Sequence, residues 1–173
     1  ARPQRIAGAM LLAPHIVVED LALVSIAQAR EAYLQSDLRA RLARHHDDPD
    51  SAFWGWNDIW LHPPFKQWSI EDEIAAIRCP VLAVQGLDDE YGTLAQLDRI
   101  AARAQAPVSR LVLERCGHSP QRDQEAAVLA EGHALRADEE GREPRPGDRP
   151  AHQRLEPGDE PVVEDRVLEE VDR

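Results

Sequence analysis

The stretch "CPVLAVQGLDDEYGTLAQLDRIAARAQAPVSRLVLERCGHSP", Cys79 to Pro120, decides the fold. It opens with an apolar run, Val81 to Gln85, fenced by Pro80 and Gly86. A continuous apolar run of that length, bounded by turn residues, predicts a strand buried on both faces of a parallel sheet. A second run, "SRLVLERC", Ser109 to Cys116, predicts another. Between them lies "TLAQLDRIAARAQA", Thr93 to Ala106, with Leu94, Leu97, Ile100 and Ala101 at helical spacing and Thr93 placed to cap it. Strand, helix and strand at this spacing make a βαβ unit, with parallel strands and a right-handed crossover.

The rest of the chain is organised around that unit. Upstream, "IAGAMLL", Ile6 to Leu12, predicts one more buried strand, with its loop running to about residue 18. Residues 19–77 then form a long insertion of helical pattern that holds Trp54, Trp56, Trp60, Trp68, Phe53 and Phe65. It is too long for a simple crossover and predicts a small helical subdomain. Its tryptophans are expected mostly in that subdomain's own core, with Trp54 and Trp56 the first candidates to face a ligand. Residues 78–135 are the βαβα core, ending in a helix from about Gln121 to Leu135. Residues 136–173 differ in kind. They hold 7 arginines, 13 acidic residues and no aromatic residue, and predict a disordered acidic tail. Within the tail, "PVVEDRVLEEV" offers at best a short amphipathic helix. A frameshifted or read-through end of a GC-rich gene would give such a composition; an acidic interaction tail is the other reading.

Composition excludes several classes. With 173 residues, 43% of them apolar, the chain has enough for one domain core. A net charge of −12 repels phosphate backbones, so no nucleic-acid partner is expected. No apolar run is long enough to span a bilayer, and the start lacks the pattern of a secretory leader, so no membrane partner is expected. Ala1 in place of methionine fits a chain trimmed or broken at its start, and methionine removal would explain it equally. The two cysteines, Cys79 and Cys116, match neither a disulfide framework nor a zinc spacing, which points to the reducing cytoplasm.

In an open parallel sheet, ligands bind outside the carboxyl ends of the strands. Two strands end in chemically rich loops, "GLDDEYG" (Gly86 to Gly92) and "CGHSP" (Cys116 to Pro120). On adjacent strands, a carboxylate of the first loop reaches His118 of the second. It would fix the imidazole tautomer and stabilise the imidazolium when the ring takes a proton. His15, after the first strand, also stands at a carboxyl end; a structural role is the first reading of it and substrate contact the second. "RHHDDPD", Arg44 to Asp50, lacks metal spacing and predicts a helix end followed by an Asp-Pro cap. Cys116 ends a buried strand, where a thiol is inert.

"CPVLAVQGLDDEYGT" followed after a helix by "LVLERCGHSP" resembles the C-terminal half of an α/β-hydrolase. "RIAGAMLLAPH" is similar to the strand after that family's nucleophile helix, and the Trp-rich insertion to its helical cap. The likeness spans about Arg5 to Leu135. It implies an α/β fold: about three parallel strands with flanking helices and a cap insertion. It also implies a Ser-His-Asp hydrolase of esters, lactones or activated carbon–carbon bonds, without cofactor or metal, acting on a small apolar ester-like or carbonyl substrate. The family's acid is commonly the third residue after the strand-ending glycine, which gives Asp89, with Asp88 the fallback; the histidine is His118. The sequence departs from the family in one respect. It holds no Gly-x-Ser-x-Gly elbow, and none of Ser25, Ser36, Ser51, Ser69, Ser109 or Ser119 sits in a tight strand-to-helix turn. A catalytically silent fragment is therefore expected, its open sheet edge favouring self-association. The alternative is a non-catalytic remnant that serves as a binding or interaction module.

Overall fold

A computed structural model describes residues 6–140 and 163–168, with side chains for residues 6–135. Strand β1 (Ala9–Leu12) leads into helices α1 (Asp20–Gln35), α2 (Leu38–Leu42) and α3 (Pro49–Leu61). A 3-10 turn (Pro63–Gln67) and α4 (Glu71–Ile74) follow. Then come β2 (Val81–Gly86), α5 (Ala95–Arg103), β3 (Val108–Leu113), α6 (Pro120–Asp123), α7 (Glu125–Glu140) and β4 (Val163–Leu168). The strands are ordered β1-β2-β3-β4 and all pairs are parallel. Val81 of β2 lies opposite Ala9 on one side and Val108 on the other.

β2 is buried along its whole length, as the apolar run Val81 to Val84 requires, and polar Gln85 is buried with it. Its side chains alternate between two cores. Val81 and Ala83 face Leu97 and Ile100 of α5, with Ile74 and Ile16 completing the layer. Leu82 and Val84 face the other way, with Leu111, Leu113 and Val128 of α7. Burying each of these larger side chains contributes about 1.5–3 kcal/mol. β1 differs from expectation. It is only partly covered, and Met10 is 39% exposed, because β1 is an edge of the described sheet. The helical stop and start at "HHDDPD" is present: Asp48 accepts from Ser51 N at 3.0 Å, with Pro49 in the first turn of α3.

The insertion between β1 and β2 is mainly helical and is pinned at its base. Ile70 N donates to Ile16 O at 2.9 Å, and Val17 bridges Ser69. Buried Gln96 of α5 accepts from Ile16 N at 2.8 Å and donates to Val17 O and Glu19. At the centre of the insertion Tyr33 stacks on Phe53 at 3.9 Å. Phe53 and Asn57, four residues apart on α3, share its inward face, and Asn57 Nδ2 donates to Ile26 O. The tryptophans were expected there instead. Trp54, Trp60 and Trp68 are half-buried and Trp56 is exposed, because Phe53 and Asn57 hold the inward stripe. The tail also differs from expectation. α7 continues to Glu140, and residues 163–168 form a strand on the β3 edge where at most a short helix was foreseen. Residues 141–162 and 169–173, where the rest of the expected disorder falls, lie outside the described residues.

Candidate active site

Two loops meet at the carboxyl ends of β2 and β3. Leu87 N donates to Leu113 O at 2.9 Å and Asp88 N to Cys116 O at 3.0 Å, so the acid-bearing loop is stitched onto the end of β3. This close approach requires glycine at 86: a Cβ there would lie 2.0 Å from Cys116 O. The chain then turns at Arg115, whose φ of 49° is left-handed. The histidine loop is braced from α6 and its C-cap. Asp123 Oδ2 accepts from Gly117 N at 3.0 Å, and Gln124 Nε2 donates to Glu114 O at 2.6 Å.

This arrangement sets His118 Nδ1 2.9 Å from Asp89 Oδ2 and 3.0 Å from Oδ1. An ionised carboxylate only accepts, so the bond puts the ring hydrogen on Nδ1 and leaves Nε2 with a lone pair. The Asp89 side chain is fully buried and that of His118 is 34% exposed, so the ring faces outward from its anchor. Asp88 is exposed and meets the loop only through its backbone. Burial pushes the Asp89 carboxyl up and is its largest single influence. The bonds from His118, Tyr91 N and Gly92 N together outweigh it and hold the carboxyl below its ordinary range. The Asp89 bond raises His118 above the ordinary imidazole value, with burial opposing.

His15 joins this pair. Its ring centroid lies 5.4 Å from that of His118 and 5.1 Å from Trp60, to which it is edge-on. Burial lowers its pKa, and the neighbouring charge of His118 lowers it further, so His15 favours the neutral form. Ala13, two residues earlier, is left-handed at φ 44°, and its N–H bonds Val84 O across the β1–β2 ladder. Trp54 and Trp56 make their ring contacts elsewhere, with Tyr33 and Phe53 inside the insertion. Trp54 also lines an open groove on α3 with Gly55, Ile59 and His62. The insertion reaches the strand ends through other residues: Trp60 against His15, and Ser25 Oγ donating to Glu90 O at 2.6 Å.

Three neighbours of the pair were not singled out in the sequence. Tyr91 lies 4.9 Å from the His118 ring, Trp60 backs His15, and Gln85 bonds Asp89. Gln85 alone carried a signal, as the one polar side chain in a strand otherwise buried and apolar. Among the described residues no serine hydroxyl bonds His118, and no cluster of three or more histidine, cysteine or acidic groups could hold a metal. Burial pushes the Cys116 thiol up to about 11, which leaves it a poor nucleophile at neutral pH.

The parallel sheet with flanking helices and a helical insertion between its first two strands is the architecture of the α/β-hydrolase fold. Solved structures bear this out at the level of the fold. A bacterial membrane phospholipase A, described as a virulence factor, superposes with a TM-score of 0.60 and 16% identity, covering 82% of this chain and 52% of its own. Naproxen esterase (carboxylesterase NP) from Bacillus subtilis gives 0.52 and 16%, covering 77% and 52%. The chain therefore spans about half the length of the solved structures it resembles. No protein-family model and no curated protein sequence matches it.

Proposed function

We propose that this chain carries the acid and base of a serine hydrolase acting on esters, lactones or activated carbon–carbon bonds. The observation that supports it best is the 2.9 Å bond from His118 Nδ1 to a fully buried Asp89 carboxylate. Asp89 orients the ring and balances the imidazolium. His118 Nε2 takes the proton of a nucleophilic serine and returns it to the leaving group. His15 is a proposed substrate contact, and the helical insertion that carries Trp54 and Trp56 is a proposed cap over a small apolar ester-like or carbonyl substrate.

No Gly-x-Ser-x-Gly occurs among these 173 residues, so they do not supply the elbow nucleophile that this reaction needs. Nucleophile and base act as a unit, so the chain alone is catalytically silent. A fluorophosphonate probe and a nitrophenyl ester assay on the purified chain test this. Neither labelling nor turnover above the buffer rate is expected. Turnover that disappears in His118→Ala would overturn the assignment of silence. Any coding sequence found upstream of Ala1 is expected to hold a serine elbow followed by one helix.

A further inference from the structure

Gln85 plays no part in the reading above, yet it is fully buried and touches the acid. Its Nε2 donates to Asp89 Oδ2 at 2.5 Å and to Gly92 O at 3.1 Å. Both neighbours are acceptors, so only the NH2 end of the amide can face them. That orientation leaves Oε1 buried without a partner, an unfavourable state for a carbonyl. The bonds to Asp89 and Gly92 therefore decide how the side chain sits.

The two carboxylate oxygens are held by different groups. Oδ1 accepts from the backbone N–H of Tyr91 at 2.8 Å and of Gly92 at 3.3 Å. Oδ2 accepts from Gln85, and His118 Nδ1 lies within bonding distance of both oxygens. Without Gln85, the backbone would hold one oxygen and the carboxylate plane would be free to swing about it. With Gln85, the plane is fixed at two points before His118 is counted. The same amide joins Gln85, within β2, to Gly92, at the far end of the loop. It closes the loop around the acid.

We propose that Gln85 is a positioning residue, whose side-chain amide clamps the second oxygen of Asp89 and so keeps the carboxylate aimed at His118 Nδ1. The inference rests on Asp89 and His118 being an acid–base pair, and its test separates the two. The His118 ring is titrated by NMR in the 173-residue chain, in wild type, Asp89→Asn, Gln85→Met and Gln85→Asn. The other groups facing the ring, Glu90, His15 and Tyr91, are the same in all four, so differences report on Asp89. Asp89→Asn is expected to lower the His118 pKa. Gln85→Met, which keeps the length and removes the donor, is expected to produce about half of that drop or more. Gln85→Asn withdraws the amide by one methylene and carries the same expectation if the methionine variant does not fold. Unfolding midpoints are recorded alongside. A lower midpoint with His118 titrating as in wild type would show that Gln85 only packs, and would overturn the inference alone. No change in Asp89→Asn would overturn both the pairing and the clamp.

Discussion

Asp89 is a carboxylate with no solvent contact, which only its donors make tolerable. Its pairing with His118 has a pH signature whose sign follows from the two shifts. His118 is raised in the folded state, so its contribution is full below the unfolded imidazole value, about 6.5, and is lost as pH rises through the folded one. Asp89 is lowered, so its contribution is full above about 3.9 and is lost as pH falls through the folded value. The pair therefore stabilises most between about pH 4 and 6.5. His15 acts oppositely. Its lowered value removes stability as pH falls below about 6.5, so the wild-type profile alone mixes the two. Subtracting the unfolding free energy of Asp89→Asn from that of wild type removes most of the His15 contribution and leaves that of Asp89 with its donors, among which His118 is the group that titrates on the high-pH side. The difference is expected to be about 1–3 kcal/mol in that window, toward the low end because His118 is 34% exposed, and to shrink on both sides of it. A flat difference across pH, measured by denaturant titration, would contradict the pairing. The contact of His118 with the "GLDDEYG" loop was legible because both loops end adjacent strands, while the choice of Asp89 over Asp88 followed from the family resemblance. Gln85, Tyr91 and Trp60 were not, because their contacts depend on where loops and insertion come to rest.

The elements depend on two glycines with opposite demands. Gly86 ends β2 where the β3 loop crosses over it, and any Cβ meets the Cys116 and Gly117 backbone, which cannot yield as a side-chain end can. Gly86→Ala is expected to cost about 3 kcal/mol, the upper end for overpacking, and to disturb the His118–Asp89 bond with it. Gly55 lies within α3 with nothing inside 4 Å of its missing Cβ. Gly55→Ala is expected to raise stability by about 0.5–1 kcal/mol, since alanine loses less backbone entropy in a helix. Chemical denaturation of both variants checks the pair of signs; two changes of the same sign would contradict this local geometry. The strands of the βαβ unit fell within a few residues of their sequence bounds because burial on both faces writes a continuous apolar run. The insertion was legible as helix but not in its facing. Three tryptophans on α3 mark an aromatic helix, while Phe53 and Asn57 occupy its inward stripe, and nothing in a single helix's sequence says which stripe meets a neighbour.

At the scale of the molecule, β1 is the strand with an unpaired edge among the described residues. Ala9 N bonds Pro80 O and Ala13 N bonds Val84 O, so alternate amides of β1 point into the sheet. The intervening amides, those of Met10 and Leu12, point away from β2, along an edge with no neighbour among the described residues. Beside that edge, Met10 is 39% and Ile6 47% exposed. Short strands and edge charges commonly blunt such an edge; β1 is short, but "AMLL" carries no charge. The purified chain is therefore expected to self-associate in proportion to concentration, by strand pairing at β1. Met10→Pro discriminates this from adhesion of exposed apolar surface in general. Proline at 10 removes a donor on the open side and leaves the bonds of Ala9 and Ala13 to β2 in place. Light scattering after size exclusion is expected to show a shift from oligomer toward monomer in Met10→Pro, with little change in Met10→Ala. Equal shifts in the two would assign the association to the methionine side chain. A wild-type chain that stays monomeric and melts cooperatively at the same concentrations would mean that the β1 edge is covered in solution.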